Sequence, residues 1–353
     1  MIYIFIFILL FLCRNSRDKK LFFFIGAFLS IVLGYRGIDV GTDTHSYIEY
    51  FGYADEDSYM EFFWNKLVLF IKNLGLSAYT FNFFVAILSI SAVCHVASKE
   101  SDKPIKVLFF LYSLGFYFYM FNVMRQLFAV CIELIGFTYL KRGKWKTFLG
   151  IVAFASLFHL SSLVAVLALF VRNLNLSFRK YLWIIFGTSI VGVLIPIEYI
   201  ILISFKYARD VDSSGDLFRT SIIQSVMYLL FTNGLLVSIF WFYKDVLFDS
   251  NKIKQRTLIT KQYDDLHFWL KIIFVGNIIF NIFVNLLVGL RIAYTFTMSE
   301  IILFSVLPKR KGKSGSWLLY LYALLTFLRF IIAEYNMNGA SGALIPYTFN
   351  FEL

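Results

Sequence analysis

The chain has 353 residues, of which 59% are apolar and 16% charged, with 43 phenylalanines, 22 tyrosines and a formal net charge of +11. Apolar runs this long exclude a water-soluble core, and spans of about 17–25 apolar residues, rather than about ten alternating ones, argue against a β-barrel. The surplus of Lys and Arg fits the cytoplasmic loops of a membrane protein, so nucleic acid is not an expected partner.

Eleven hydrophobic runs follow in order: Met1–Leu12, Leu21–Tyr35, Leu76–Ala97, Val107–Asn122, Leu127–Leu140, Phe148–Val171, Tyr181–Ser204, Ile222–Tyr243, Phe268–Leu290, Ile292–Leu307 and Trp317–Ala333. They predict an all-α polytopic membrane protein of about ten to eleven transmembrane helices. With no internal repeat or low-complexity linker, a single integral membrane domain over residues 1–353 is expected. The first run lacks the basic leader and small-residue cleavage site of a signal peptide and is expected to stay in the mature chain. Cys13, Cys94 and Cys131 have no paired spacing and predict neither a disulfide framework nor a metal site. A Walker loop, a dinucleotide fingerprint and an HExxH are all missing, and no cofactor is expected.

Positive charge sets the orientation. Arg14, Arg17, Lys19 and Lys20 precede the second run, Lys99, Lys103 and Lys106 the fourth, and Lys141, Arg142, Lys144 and Lys146 follow the fifth; these loops are assigned to the cytoplasm. The segment 36–75, with Asp39, Asp43, Glu49, Asp55, Glu56, Asp57 and Glu61, is then an extracytoplasmic loop, and residues 205–221 form a second. Within the first loop, Ser58–Leu74 sets Trp64, Leu67, Val68 and Ile71 against Glu61, Asn65, Lys66 and Lys72, the pattern of an interfacial helix. If Phe148–Val171 crossed the membrane once, the basic loops at 252–256 and 309–313 would both fall outside. A re-entrant pair of half-helices, with His159 at its tip and lining a polar cavity, returns both to the cytoplasm. The alternative is one long span with a satisfied buried histidine.

Three lone arginines, Arg36, Arg125 and Arg291, fall at the outer ends of spans, where positive charge is normally depleted. Snorkelling to headgroups explains one such arginine. Three at one face suit a lipid-linked pyrophosphate, because a guanidinium fork matches phosphate oxygens and stabilises charge on a departing diphosphate. Asp39 and Asp43 suit sugar hydroxyls, an arginine, or the role of base toward an acceptor hydroxyl; a solvated acidic loop is the plainer reading. Tyr47, Tyr50, Phe51, Tyr53, Tyr59, Phe62, Phe63 and Trp64 suit both a sugar-stacking surface and an interfacial belt. His159 titrates near neutrality and is the candidate to deprotonate the acceptor or to hydrogen-bond the phosphate.

Tyr35-Arg36-Gly37, Gly41-Thr42-Asp43-Thr44 with Tyr47 and Phe51, Met124-Arg125-Gln126, Phe158-His159-Leu160-Ser161, Arg291-Ile292 with Tyr294, and Ile345-Pro346-Tyr347 together resemble the EpsG family, in order along nearly the whole chain. That resemblance implies a Wzy-like polymerase of bacterial surface polysaccharides, of GT-C-like architecture, in the cytoplasmic (inner) membrane. It implies metal-independent transfer of a growing glycan from undecaprenyl pyrophosphate to the next lipid-linked repeat unit, in making capsule, exopolysaccharide or O-antigen. Donor and acceptor are both lipid-linked oligosaccharides, and a flippase and a chain-length regulator are the expected protein partners. On this basis Arg125, Arg291, His159 and Asp43 are the catalytic candidates, and Arg36, Asp39, Tyr47, Gln126, Ser161 and Tyr294 the substrate-binding ones. A flippase or exporter, an O-antigen-type ligase and a non-enzymatic scaffold are the competing classes.

Overall fold

A computed structural model describes residues 2–58, 60–171, 174, 176–194, 222–248, 260–308, 315–336 and 343–350. Helices make up 80% of it, and no β-strand occurs among the described residues. By its internal packing the chain divides into two compact units, interleaved in sequence. The first comprises Met1–Ala165, Glu300–Pro308 and Tyr320–Leu353, the second Val166–Ser299 and Lys309–Leu319.

The first unit contains α1 (Ile2–Cys13), α2 (Lys19–Gly34), α3 (Thr44–Tyr53), α4 (Phe62–Asn73), α5 (Ala78–Glu100), α6 (Pro104–Ser113), α7 (Phe116–Asn122), α8 (Met124–Lys141) and α9 (Trp145–Ser156). Start signals are local. Asp18 accepts hydrogen bonds from the N–H groups of Lys20 and Leu21 at the head of α2, Ser77 caps α5 through Thr80, and Pro104 opens α6, where its missing N–H costs nothing. Helix α5 is central, packed on α2 and α8, with α9 on the far side of α8. Helices α6 and α7 are almost wholly buried, and the Tyr112 and Tyr117 hydroxyls donate to the carbonyls of Tyr3 (2.9 Å) and Leu29 (2.8 Å), so neither is left unsatisfied in an apolar core.

After α9 the chain breaks at Leu157–His159 and resumes as a 3-10 helix, Leu160–Leu167, that runs into α10 (Ala168–Val171). The second unit continues with α11 (Phe178–Leu194), α12 (Ile222–Phe242), α13 (Lys244–Leu247), α14 (Thr260–Ile282) and α15 (Leu287–Thr297). The last two helices are α16 (Glu300–Val306), which packs on α6, and α17 (Gly315–Asn336).

A ladder of asparagines holds α14 to α11 and α12. Asn277 donates to the Tyr181 hydroxyl (3.0 Å), Asn281 to Ile185 O (3.2 Å) and Thr188 Oγ1 (3.1 Å), Asn285 to Gly192 O (3.0 Å), and Asn233 to Asn281 Oδ1 (2.9 Å). Asn277 and Asn281 lie about one turn apart on α14 and Asn285 in the turn that follows it, where hydrogen bonds substitute for a hydrophobic force that lipid does not supply. Gly192 completes the fit, since a Cβ there would lie 1.8 Å from Asn281 O.

On length and composition five helical segments can cross a membrane: Ala78–Glu100, Ser225–Phe242, Asp264–Ile282, Gly289–Val306 and Trp317–Asn336, or six if α6 and α7 count as one broken span. The expected ten to eleven are therefore not all present as full spans among the described residues. The reason is physical: several runs are short or interrupted. Helix α1 has 12 residues, about 18 Å of helix against roughly 30 Å of hydrocarbon. The run Val107–Asn122 bends by 57° at Leu114–Gly115, where Gly115 has φ of +90°. The run Phe148–Val171 is cut at Leu157–His159, where a hairpin tip was expected, so that two short apolar segments, Trp145–Ser156 and Leu160–Val171, stand in place of one long helix. The loop 205–221 lies outside the described residues, as do the basic loops at 252–256 and 309–313.

Candidate functional site

Beyond α2 the chain turns sharply over Tyr35–Asp43, and its C-terminal segment lies along this turn. Gly37 N donates to Thr348 O (2.8 Å), Asn350 N to Tyr35 O (2.9 Å), and Arg36 and Phe349 form an antiparallel bridge. Tyr347 donates its hydroxyl to Val32 O (2.5 Å), and Tyr3 from α1 donates to Leu344 O (2.9 Å). The approach is close enough to require glycine: a Cβ on Gly37 would sit 2.0 Å from Thr348 Oγ1. Gly41, with φ of +94°, makes the tight turn whose next N–H, that of Thr42, donates to Asn122 Oδ1 (2.9 Å).

Arg36 sits at the centre of this assembly with no solvent exposure. Its Nε donates to Thr44 Oγ1 (2.7 Å), one terminal nitrogen to Leu33 O (2.7 Å) and the other to Phe121 O (3.3 Å). Burial lowers its pKa to about 10, which still leaves it charged at neutral pH. The sequence placed Arg36 on a ligand at the membrane surface. In the structure the guanidinium is enclosed, and it ties the end of α2, the start of α3 and the end of α7 together.

Arg125, at the head of α8, is placed differently. It lines a polar cavity of about 400 Å³ together with Asp43, Ser46, Tyr47, Glu49, Tyr53 and Met60. Its Nη1 donates to Glu61 Oε2 at 2.7 Å, and its backbone N–H reaches the Tyr47 hydroxyl at 3.4 Å. Burial, with the nearby Asp43 charge, raises the Tyr47 pKa, so the phenol keeps its proton. Tyr47 is also packed against Trp64 of α4. Helix α4 appears over Phe62–Asn73 and buries Trp64, Val68 and Ile71 as the apolar stripe predicted. Asn65, expected on its wet face, is instead buried, accepting from the Tyr50 hydroxyl (2.6 Å) and donating to Asp55 O (2.7 Å).

Glu61 joins the cavity to the break after α9. Its other oxygen accepts the Leu160 N–H at 3.3 Å, and Phe63 N donates to Leu157 O at 3.0 Å. Phe158 anchors the break between Phe63, Phe128 and Phe154. His159 Nδ1 receives the Ser161 N–H (3.2 Å) and lies 2.8 Å from Ser161 Oγ, which accepts from Gln126 Nε2 at 3.4 Å. Six residues singled out in the sequence, Asp43, Tyr47, Arg125, Gln126, His159 and Ser161, therefore meet in one connected network drawn from three distant segments.

Asp39 is not linked to it by the described contacts. It is exposed on the turn and does not line the cavity. Arg291 and Tyr294 belong to α15 in the second unit, Arg291 exposed and Tyr294 half-buried. Glu61 was read only as one more acidic loop residue, because its partner lies 64 positions away and leaves no local signature. A second cavity, of about 980 Å³, lies between α11 and α12; its walls are almost wholly apolar, which suits lipid chains better than chemistry. Among the described residues no three His, Cys, Asp or Glu side chains gather into a group able to hold a metal ion.

The model of the EpsG family matches residues 19–349, nearly the whole chain. No curated protein and no solved structure matches.

Proposed function

The chain belongs to the EpsG family, bacterial membrane proteins of polysaccharide biosynthesis, and from that premise we propose that it is a Wzy-type polymerase. It transfers a growing glycan from undecaprenyl pyrophosphate to a hydroxyl of a second lipid-linked repeat unit, at the outer face of the cytoplasmic membrane. The observation that carries this reading is Arg125, a cation on a polar cavity at the head of α8, held in register by Glu61 and Tyr47.

In the reaction the acceptor oxygen attacks the anomeric carbon, the bond from that carbon to the diphosphate breaks, and the diphosphate leaves with the electron pair. Arg125 neutralises the charge that develops there, an interaction stronger in the transition state than in the ground state. Asp43 and His159 are the two groups able to handle the acceptor proton. Tyr53, Ser46 and Glu49 offer the ring face and oxygens on which a sugar is oriented. Because the donor is already activated, no nucleotide and no metal is required. The break at Leu157–His159 is read as the tip of a re-entrant hairpin, and the shorter helices as contributors to about ten membrane passes. Arg291, exposed on α15, is proposed as a phosphate ligand in its own right. Arg36, enclosed as it is, acts by holding the loop that carries Asp43.

The test is the glycan profile of a strain lacking the protein, complemented with wild type, Arg125→Ala or His159→Ala at matched levels. Single repeat units exposed outside without polymer, restored only by wild type, supports the assignment. Units trapped on the cytoplasmic side mean a flippase, and polymer made but left unattached means a ligase. Unchanged polymer in both variants means a scaffold.

A further inference from the structure

Helices α11 and α12 are joined where Asn233 donates to Ser189 Oγ at 3.1 Å, and they leave between them the trough of about 980 Å³. Its walls are apolar on both sides, with Trp183, Phe186 and Ile190 from α11 and Leu230 and Val237 from α12. Gly234 lines it too. A Cβ at Gly234 would meet no described atom within 4 Å, so the missing side chain leaves width that the neighbours do not fill. From Arg179 to Leu194 the trough follows α11 for about 22 Å, at roughly 1.5 Å per residue. That exceeds the hydrocarbon of one leaflet, about 15 Å as half of the whole core. A slot this long and apolar suits a hydrocarbon chain lying along it.

One end differs from the rest. Among the described residues Arg179 is the one charged side chain that lines the trough; it is exposed and has no hydrogen bond, ion pair or ring contact with another of them. Beside it, Phe178 packs edge-on against Trp241 at 5.7 Å. Trp241 is 58% exposed and carries the Lys244 ammonium 4.4 Å from its ring centroid. Lys180, next in sequence to Arg179, is exposed as well. Tryptophan with Arg and Lys at the end of an apolar slot is the chemistry that meets a lipid phosphate at headgroup depth.

We infer that the trough holds an anionic phospholipid of the bilayer, with an acyl chain between α11 and α12 and the phosphate on Arg179. Lys180 and Lys244 favour a headgroup of net negative charge, since a zwitterionic one brings its own ammonium toward them. A polyprenyl phosphate shares the phosphate, but its much longer chain overruns a trough of this length. The lipid fills the gap between two helices and so stabilises the second unit. The site shares no residue with the Arg125 cavity, and the inference does not depend on the reaction the protein performs.

The test uses the full chain, purified and stripped of lipid in detergent, and titrated with dioleoyl phosphatidylglycerol, dioleoyl phosphatidylcholine or a polyprenyl phosphate. Thermal unfolding reports binding, because a ligand of the folded state raises Tm by mass action, and native mass spectrometry counts the bound lipid. Phosphatidylglycerol is expected to give a saturable rise with one lipid bound, at lower concentration than phosphatidylcholine. Arg179→Gln weakens that response about fivefold, the factor for one basic residue beside an anionic headgroup. Gly234→Leu fills the trough without meeting a described atom and replaces a poor helix former by a good one. It unfolds at or above the wild-type temperature without lipid and shows no saturable rise with phosphatidylglycerol. If Gly234→Leu fails to fold, Arg179→Gln decides, because that side chain is exposed and holds nothing in place. Equal responses to the two phospholipids, a stronger response to the polyprenyl phosphate, wild-type behaviour in the folded variants, or no saturable response at all each overturn the inference.

Discussion

Replacing Arg36 by methionine separates two accounts of the most prominent polar segment in the chain. If Arg36 bound substrate, its loss would remove activity and leave the fold intact. The structure argues the reverse. The side chain is fully buried and donates to three oxygens, of Thr44, Leu33 and Phe121, and to the Met124 sulfur. Hydrogen bonds from a charged donor contribute about 1.5–3 kcal/mol each, so the gross loss is about 5–9 kcal/mol. Against that stands the desolvation of a buried charge, several kcal/mol that methionine avoids. The net destabilisation is about 2–4 kcal/mol, which for a unit of this size lowers Tm by roughly 5–15 °C. Arg36→Lys recovers little, since an ammonium keeps the desolvation cost but cannot span three acceptors in a planar fork. The assay is thermal unfolding in detergent, paired with limited proteolysis of the segment 37–44, which loses its anchor when Thr44 and Phe121 are released. Arg36→Met protein with wild-type thermostability and no polymer formation would refute the reasoning and return Arg36 to the substrate.

Arg125→Ala is expected to lower polymer formation by about 100-fold while changing Tm little, because its ion pair with Glu61 is partly exposed and such pairs are worth about 1 kcal/mol or less; equal losses of rate and stability would count against its role. Gly37→Ala drives a methyl onto Thr348, so the C-terminal segment becomes sensitive to carboxypeptidase, and the double variant with Thr348→Ala regains part of the protection; no change in digestion would deny the close approach. In the second unit, Asn281→Leu breaks three hydrogen bonds and Asn277→Leu one among those described. At roughly 0.6 kcal/mol for an average interhelical bond in a membrane, thermal unfolding of the Asn281 variant should fall well below that of the Asn277 variant, and the opposite order would undo the ladder.

What the sequence disclosed depended on how far apart the cooperating residues lie. The helices were legible because 20-residue hydrophobicity is a local property, and lone charges at the ends of apolar runs could be marked for the same reason. Met124-Arg125-Gln126 and Phe158-His159-Leu160-Ser161 could each be marked as short patterns, and they do meet. The pairing of Arg125 with Glu61 and the closure of the C-terminal segment over Gly37 were not legible, since nothing near Glu61 or Thr348 announces a partner dozens or hundreds of positions away. Which runs form full-length helices was not legible for a related reason: hydropathy counts apolar residues and is blind to a bend. Gly115, inside the run Val107–Asn122, was a clue that could have been used, as were Asn277, Asn281 and Asn285 at intervals of four. An amide repeated on one face of an apolar helix has to find partners on its neighbours, whichever helices those are.

Arg36 and Arg125 occupy equivalent places in the sequence pattern, each a lone cation at the outer end of a hydrophobic run. Their fates differ because of the acceptors nearby. Arg36 meets neutral oxygens, two carbonyls and a hydroxyl, packed with no space left for another ligand. Neutral acceptors satisfy the hydrogens of a guanidinium without cancelling its charge, so the residue holds backbone in place and contributes a fixed positive field to the loop beneath Asp43. Arg125 meets a carboxylate on the wall of a cavity. A carboxylate is the one protein group that competes on equal terms with a phosphate for a guanidinium fork. An anion entering the cavity therefore has to displace Glu61 or share the arginine with it, and Glu61, once displaced, still carries the Leu160 N–H that sets the position of His159. Binding at Arg125 is thereby linked to the geometry at His159 through one side chain. Glu61→Gln removes the charge and turns one of the two acceptor oxygens into an amide donor; with the remaining oxygen on the Leu160 N–H, it should tighten anion binding to the free protein while leaving the His159 ring where it is. Weaker binding of inorganic diphosphate by Glu61→Gln than by wild type, measured calorimetrically, would show that Glu61 assists the ligand and does not compete with it.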